Sequence, residues 1–174
     1  MYKRQGQGAA AAGAGGETQT CYQTIPDNIN GGNIGVNKYI GNKFSTGADP
    51  VGQSLNQITF WLTTTDDSVD HDLSAYVYDS GDNVVATSTS TINNNTLNED
   101  STPGAVNDFT ECAFTFAGTY TIADGDRLVI KNTSSVNIRI AQTFTFGSEP
   151  NPVYCGEDDC PLATHQIYQC VTWS

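Results

Sequence analysis

Basic residues are scarce in this chain: seven Lys and Arg stand against 19 Asp and Glu among 174 residues, for a formal net charge of −12. A surface of that sign repels phosphate backbones, which excludes nucleic acid as an expected partner. Histidine is limited to His71 and His165, leaving little material for a Ser-His-Asp arrangement. There is no GxSxG elbow, no HExxH, no phosphate-binding glycine loop and no CxxC. No pair of acids is marked out for glycoside hydrolysis either, so the sequence reads as a non-enzyme. No apolar run approaches the roughly 20 residues that a membrane-crossing helix needs, and direct membrane insertion is not expected. Strong helix formers are sparse beyond residue 17 and the only Met is Met1. Thr, Ser, Asn and Gly fill the polar positions instead, a composition that favours strands and turns.

What is present is alternation of period two. Ile58, Phe60 and Leu62 alternate with Thr59, Trp61 and Thr63, and Leu73, Ala75 and Val77 alternate with Ser74, Tyr76 and Tyr78, the pattern of half-buried strands. Asp79-Ser80-Gly81-Asp82-Asn83 supplies turn residues, and 84–91 leaves as a further β-branched strand. Residues 55–91 therefore read as a three-stranded meander around which the domain is organised. Other strands are expected at 17–25, 37–46, 109–116, 120–122, 127–131, 137–146, 153–155 and 165–173. Residues 27–35 read as a loop and 93–108 as a long loop over one end. About ten strands and no helix define an all-β fold, an antiparallel two-sheet β-sandwich. The likeness of TQTCYQT near the start to QIYQCVT near the end places the first and last strands side by side.

The domain is expected to span 17–174, a length that suits one sandwich. Residues 1–16, with AAAAGAGG at 9–16, read as a Gly/Ala-rich disordered tether to an upstream domain of a longer chain. MYKRQ at 1–5 looks like the adapter-derived opening of translated metagenomic fragments. Without Lys3 and Arg4 the basic count would fall from seven to five and the net charge to −14.

Five cysteines in an acidic, strand-rich chain point to an oxidising compartment, secreted or at the cell surface. Cys155 and Cys160 bracket a short loop that a disulfide could close, and Cys21 with Cys170 would staple the terminal strands. Cys112 shares a face with Phe114 and Phe116 and reads as a buried thiol. The other reading of the C-terminal cysteines is a zinc set of Cys155, Cys160, Cys170 and His165, with spacing looser than a knuckle. Asp66, Asp67, Asp70 and Asp72 crowd one inter-strand loop with His71, and hard oxygen ligands at that density suit Ca2+ as a cofactor; a solvated acidic loop is the plainer reading. Asn94-Asn95-Thr96 and Asn132-Thr133-Ser134 match the N-glycosylation acceptor pattern. Trp61, Tyr76 and Tyr78 are expected on the outward faces of neighbouring strands, as a ligand-binding row of aromatic rings that could stack on sugars. The alternative is that this outer face is covered by the terminal strands or a partner.

Phe44, Gly52, Leu55, Ile58 to Leu62, Leu73, VYDSGDNVVATS at 77–88, Phe114-Thr115-Phe116 and YTIADGD at 120–126 resemble jelly-roll β-sandwich modules. These are the carbohydrate-binding-module-like and galactose-binding-like domains appended to secreted enzymes, surface proteins and phage tail proteins. The resemblance covers roughly residues 39–143 and rests on core and turn positions; Cys112 stands where such modules often carry a Trp. It implies a jelly-roll, non-catalytic extracellular module that recognises a polysaccharide or glycoconjugate. The competing expectation is a structural or assembly domain of a surface layer, filament or phage particle, in which the same faces mediate self-assembly.

Overall fold

The computed structural model describes residues 16–22, 30–100, 102–143, 153–155 and 166–174. Among these the fold is all-β, two antiparallel sheets packed face to face. The first sheet contains β1 (Thr18–Tyr22), β2 (Asn30–Ile34), β4 (Leu55–Thr64), β8 (Thr110–Thr115), β10 (Ile138–Thr143), β12 (Gln166–Ile167) and β13 (Gln169–Trp173). The second contains β3 (Tyr39–Lys43), β5 (Asp72–Tyr78), β6 (Val84–Thr87), β7 (Ile92–Asn93), β9 (Arg127–Lys131) and β11 (Val153–Cys155).

The alternating apolar residues do what their period dictates. Ile58, Phe60 and Leu62 of β4, Cys112 and Phe114 of β8, and Ile138 and Ile140 of β10 face Leu73, Ala75 and Val77 of β5 and Leu128 and Ile130 of β9 across one core, all fully buried. Phe60 and Phe114 meet edge to face at 6.2 Å and 64°, the geometry that aromatic quadrupoles favour.

β4 is the strand on which the first sheet is built. One edge pairs with β8; the other pairs with β13 from Leu55 to Phe60 and with β10 from Leu62 to Thr64. β10 leaves β4 after Ile140, β12 pairs back onto its end, and Tyr168 sits at the corner, its amide donating to the Ala141 carbonyl at 3.1 Å.

The expected meander is not formed. β4 and β5 lie in different sheets, and residues 65–71 carry the chain across the sandwich. Crossing about 10 Å of core needs such a linker, whereas a hairpin is closed by about two residues. Only β5 and β6 pair as a hairpin, around the Asp79 turn. β2 occupies what read as a loop, because Gly31 and Gly32 hide a strand. A Cβ at Gly31 would lie 2.6 Å from Pro103 and one at Gly32 would collide with the Gln142 amide. Glycine is what lets both groups approach.

Residues 94–109 do not simply cap an end. Leu97 enters the main core, the Asn98 carbonyl accepts from the Thr63 hydroxyl and the Thr64 amide, Pro103 rests on Gly31, and Phe109 lies on the outer face of the first sheet. β1 and β13 are paired in register as expected, Cys21 opposite Cys170, and the two are joined by a disulfide.

Candidate functional site

The outer face of the second sheet is a small grid. Cross-strand register places Tyr39, Lys131 and Ser74 in one row, Gly41, Val129 and Tyr76 in the next, and Lys43, Arg127 and Tyr78 in the third. β3 presents these side chains outward because Ile40, Asn42 and Phe44 point into the core, and β5 does so because Leu73, Ala75 and Val77 do. Tyr39 and Tyr78 start at opposite corners, yet their rings stack at 4.9 Å and 8°, and Tyr76 stands 6.4 Å from Tyr78 at 56°. The rings can lean together because the middle row offers only Gly41 and Val129 beneath them. Val129 is 0% exposed although it points away from the core. Gly41 itself is fixed by a close approach, since a Cβ there would strike the Leu128 carbonyl oxygen.

Burial, followed by the neighbouring Tyr39, raises the Tyr78 phenol above its ordinary pKa. Tyr39 and Tyr76 remain partly exposed. Arg127 is 5% exposed; it donates to the Asp79 carbonyl and pairs with Asp82 at 2.5 Å, latching the β5–β6 turn to the sheet. The turn is held from within by Asp79, whose Oδ1 accepts from the Gly81 and Asn83 amides at 2.8 and 2.9 Å. Val84 and Val85, 49% and 40% exposed, border the face on β6.

The structure brings Tyr76 and Tyr78 together but sets Trp61 apart from them. Trp61 lies on the outer face of the first sheet, half-buried against Phe109, Ala141 and Tyr168. The expected three-residue row is therefore corrected. β4 and β5 follow one another in sequence but lie in different sheets, and the chain's own Phe109 and Tyr168 pack against the tryptophan. Tyr39 takes the third place. Its signal was the alternation of Tyr39, Gly41 and Lys43 with Ile40, Asn42 and Phe44, but nothing in the sequence says which strand lies beside it.

Three of the four aspartates between 66 and 72 accept hydrogen bonds from neighbouring groups of the chain. Asp66 accepts from the Ser68 amide and hydroxyl at 2.9 and 2.6 Å, and Asp70 and Asp72 both accept from the Asn93 amide group at 2.6 and 3.0 Å. Asp67 is exposed, and the His71 ring nitrogen lies 2.8 Å from the Thr133 hydroxyl. Among the described residues no three His, Cys, Asp or Glu side chains converge as metal ligands. Cys170 is committed to Cys21, which removes it from the zinc set. Cys155 ends β11, whereas Cys160 and His165 lie outside the described residues, and the expected Cys155–Cys160 bridge lies outside them too. Cys112 is a buried free thiol, as its position between apolar neighbours required.

Both glycosylation-type asparagines are structural. Asn94 is fully buried and its Nδ2 donates to the carbonyls of Asp66 and Val69 at 2.9 and 3.1 Å. Asn132 is likewise buried; it donates to Ile34 and Val136 and accepts from the Ser134 amide and hydroxyl. A cleft of about 180 Å³ lies at the far end of the first sheet, lined by Glu17, Asn56, Gln57, Thr115, Phe116 and Thr172, with Glu17 and Asn56 hydrogen-bonded across it at 3.0 Å. It presents no converging reactive groups. The fold class is thus an antiparallel two-sheet β-sandwich. No family model, no curated protein and no solved structure matches the chain.

Proposed function

We propose that this domain is a non-catalytic extracellular binding module that recognises carbohydrate through the tyrosine face of the second sheet. The supporting observation is the cluster of Tyr39, Tyr76 and Tyr78 gathered over Gly41 and Val129 on an outward sheet face. Tyrosine suits sugars because its ring offers an apolar surface to C–H groups while its hydroxyl hydrogen-bonds at the rim. The likeness to jelly-roll binding modules points the same way. The Cys21–Cys170 disulfide fits an oxidising compartment, and among the described residues no helix is long and apolar enough to cross a membrane; both accord with a secreted or cell-surface home.

The assembly reading would have β1 leave its own chain and pair with another. Among the described strands β1 pairs with β13 alone, an edge position from which exchange would be easy, but the disulfide to β13 ties it to its own chain. That tie favours the binding module over strand exchange. Affinity electrophoresis of the chain through gels containing individual polysaccharides tests the reading. Retardation on at least one polymer is expected; free migration through every gel of a broad panel would overturn it.

A further inference from the structure

Five of the seven basic residues fall within the described residues: Lys38, Lys43, Arg127, Lys131 and Arg139. Three of the five, Lys43, Arg127 and Lys131, lie within the nine-position grid that carries the tyrosines, and Lys38 immediately precedes Tyr39. No carboxylate interrupts the grid; Asp72 and the Asp79–Asp82 turn only border it. In a chain of net charge −12, this is a strong segregation of sign. Arg127 is occupied by Asp82 and the Asp79 carbonyl. Lys43 and Lys131 are partly exposed, and among the described residues neither has a salt bridge. They are separated by one strand spacing and four residues of strand, about 14 Å, with the tyrosine rings between them.

From this we infer that the ligand is an anionic glycan, one whose sugar rings lie on Tyr39 and Tyr76 while carboxylate or sulfate groups meet Lys43 and Lys131. The inference rests on the carbohydrate-binding reading of the same face and adds the chemical class. Two ammonium groups flanking an aromatic platform select charge at spaced intervals along a polymer, with rings stacked between. The remaining acidic surface repels the same polymer elsewhere, which confines it to this face. A neutral glycan can accept hydrogen bonds from the lysines but offers no charge to match theirs.

The test uses polymers matched in backbone and differing in charge: polygalacturonate against its methyl ester, and dextran sulfate against dextran. Wild type is compared with the Lys43→Gln/Lys131→Gln double variant and with Tyr76→Ala, each checked for an unchanged circular dichroism spectrum. At least one charged polymer should retard wild type more than its neutral partner does, the preference should fade as salt is raised, and the double variant should lose about tenfold or more in affinity for it. Equal retardation by both members of each pair, or retardation indifferent to the lysines but lost in Tyr76→Ala, would overturn the anionic assignment and leave the carbohydrate reading standing. Free migration on all four and on a wider neutral panel would remove both. Concentration-dependent self-association in sedimentation velocity, abolished in the double variant, would also overturn it and assign the lysines to the acidic surface of a second copy.

Discussion

Asn132 shows how a single amide can join three segments. Its side chain reaches the carbonyls of Ile34 at the end of β2 and of Val136 in its own turn, while its backbone exchanges hydrogen bonds with Asn37 and Lys38 before β3. Removing such a group leaves buried carbonyls unpaired, which costs about 1 to 3 kcal/mol. Asn132→Ala should therefore lower the unfolding free energy by that amount and bring the urea midpoint down with it, and an unmoved midpoint would contradict the role. Cys112 is a second case. Burial, as the largest effect, pushes its thiol up to about 12, so native protein should resist alkylation at Cys112 at neutral pH and react fully in denaturant. Peptide mapping by mass spectrometry reads this directly. Both sites were half-legible in the sequence. The alternation Cys112, Phe114, Phe116 announces burial, whereas Asn132 looks like an acceptor for sugar because the β2 carbonyl of Ile34 that it meets lies 98 residues away in the chain.

At the scale of elements, β1 depends on β13. It is an edge strand that pairs with β13 alone among the described strands, and its backbone ladder and the Cys21–Cys170 bridge tie it there. Opening a bridge between residues 149 apart should cost about 2 to 5 kcal/mol. In Cys21→Ser/Cys170→Ser the amides of β13 that face β1 should lose hydrogen-exchange protection while those of β9 keep theirs; uniform loss would mean that β1 is integral to the core.

The turns titrate as well. Amide hydrogen bonds, first from Asn83, hold the Asp79 carboxyl below its ordinary value of 3.8, and the Ser68 hydroxyl does the same for Asp66. A carboxyl whose pKa is lower in the folded state adds stability above the ordinary value and loses it as pH falls through the folded one. The melting temperature should thus hold on the alkaline side of about pH 5 and decline below about pH 4, with a shallower decline in Asp79→Asn. At this scale the sequence spoke clearly about strands and turns and poorly about neighbours. Period two tells which face of β4 and β5 is buried, but the same pattern serves a hairpin or a crossover, and only the length of 65–71 distinguishes them. β2 was hidden by the two glycines that close packing demands.

For the molecule as a whole, one sandwich offers two outer faces of different character. On the face of the first sheet Phe109 and Tyr168 pack against the half-buried Trp61, while Glu111, Ala113 and Thr115 of β8 stay exposed. The face of the second carries the tyrosines and the lysines. Composition alone suggested aromatic recognition but could not choose between the faces, because Trp61 and Tyr76 share the same outward parity on strands that follow one another. The choice is settled by a paired comparison, Tyr76→Ala against Trp61→Ala, in affinity gels of whichever polysaccharide retards wild type, with the melting temperature of each variant recorded. The expected result is that Tyr76→Ala migrates freely at a nearly native melting temperature, while Trp61→Ala is retarded like wild type but melts several degrees lower from lost packing. Free migration of a folded Trp61→Ala with full retardation of Tyr76→Ala would contradict the assignment and move the site to the first sheet.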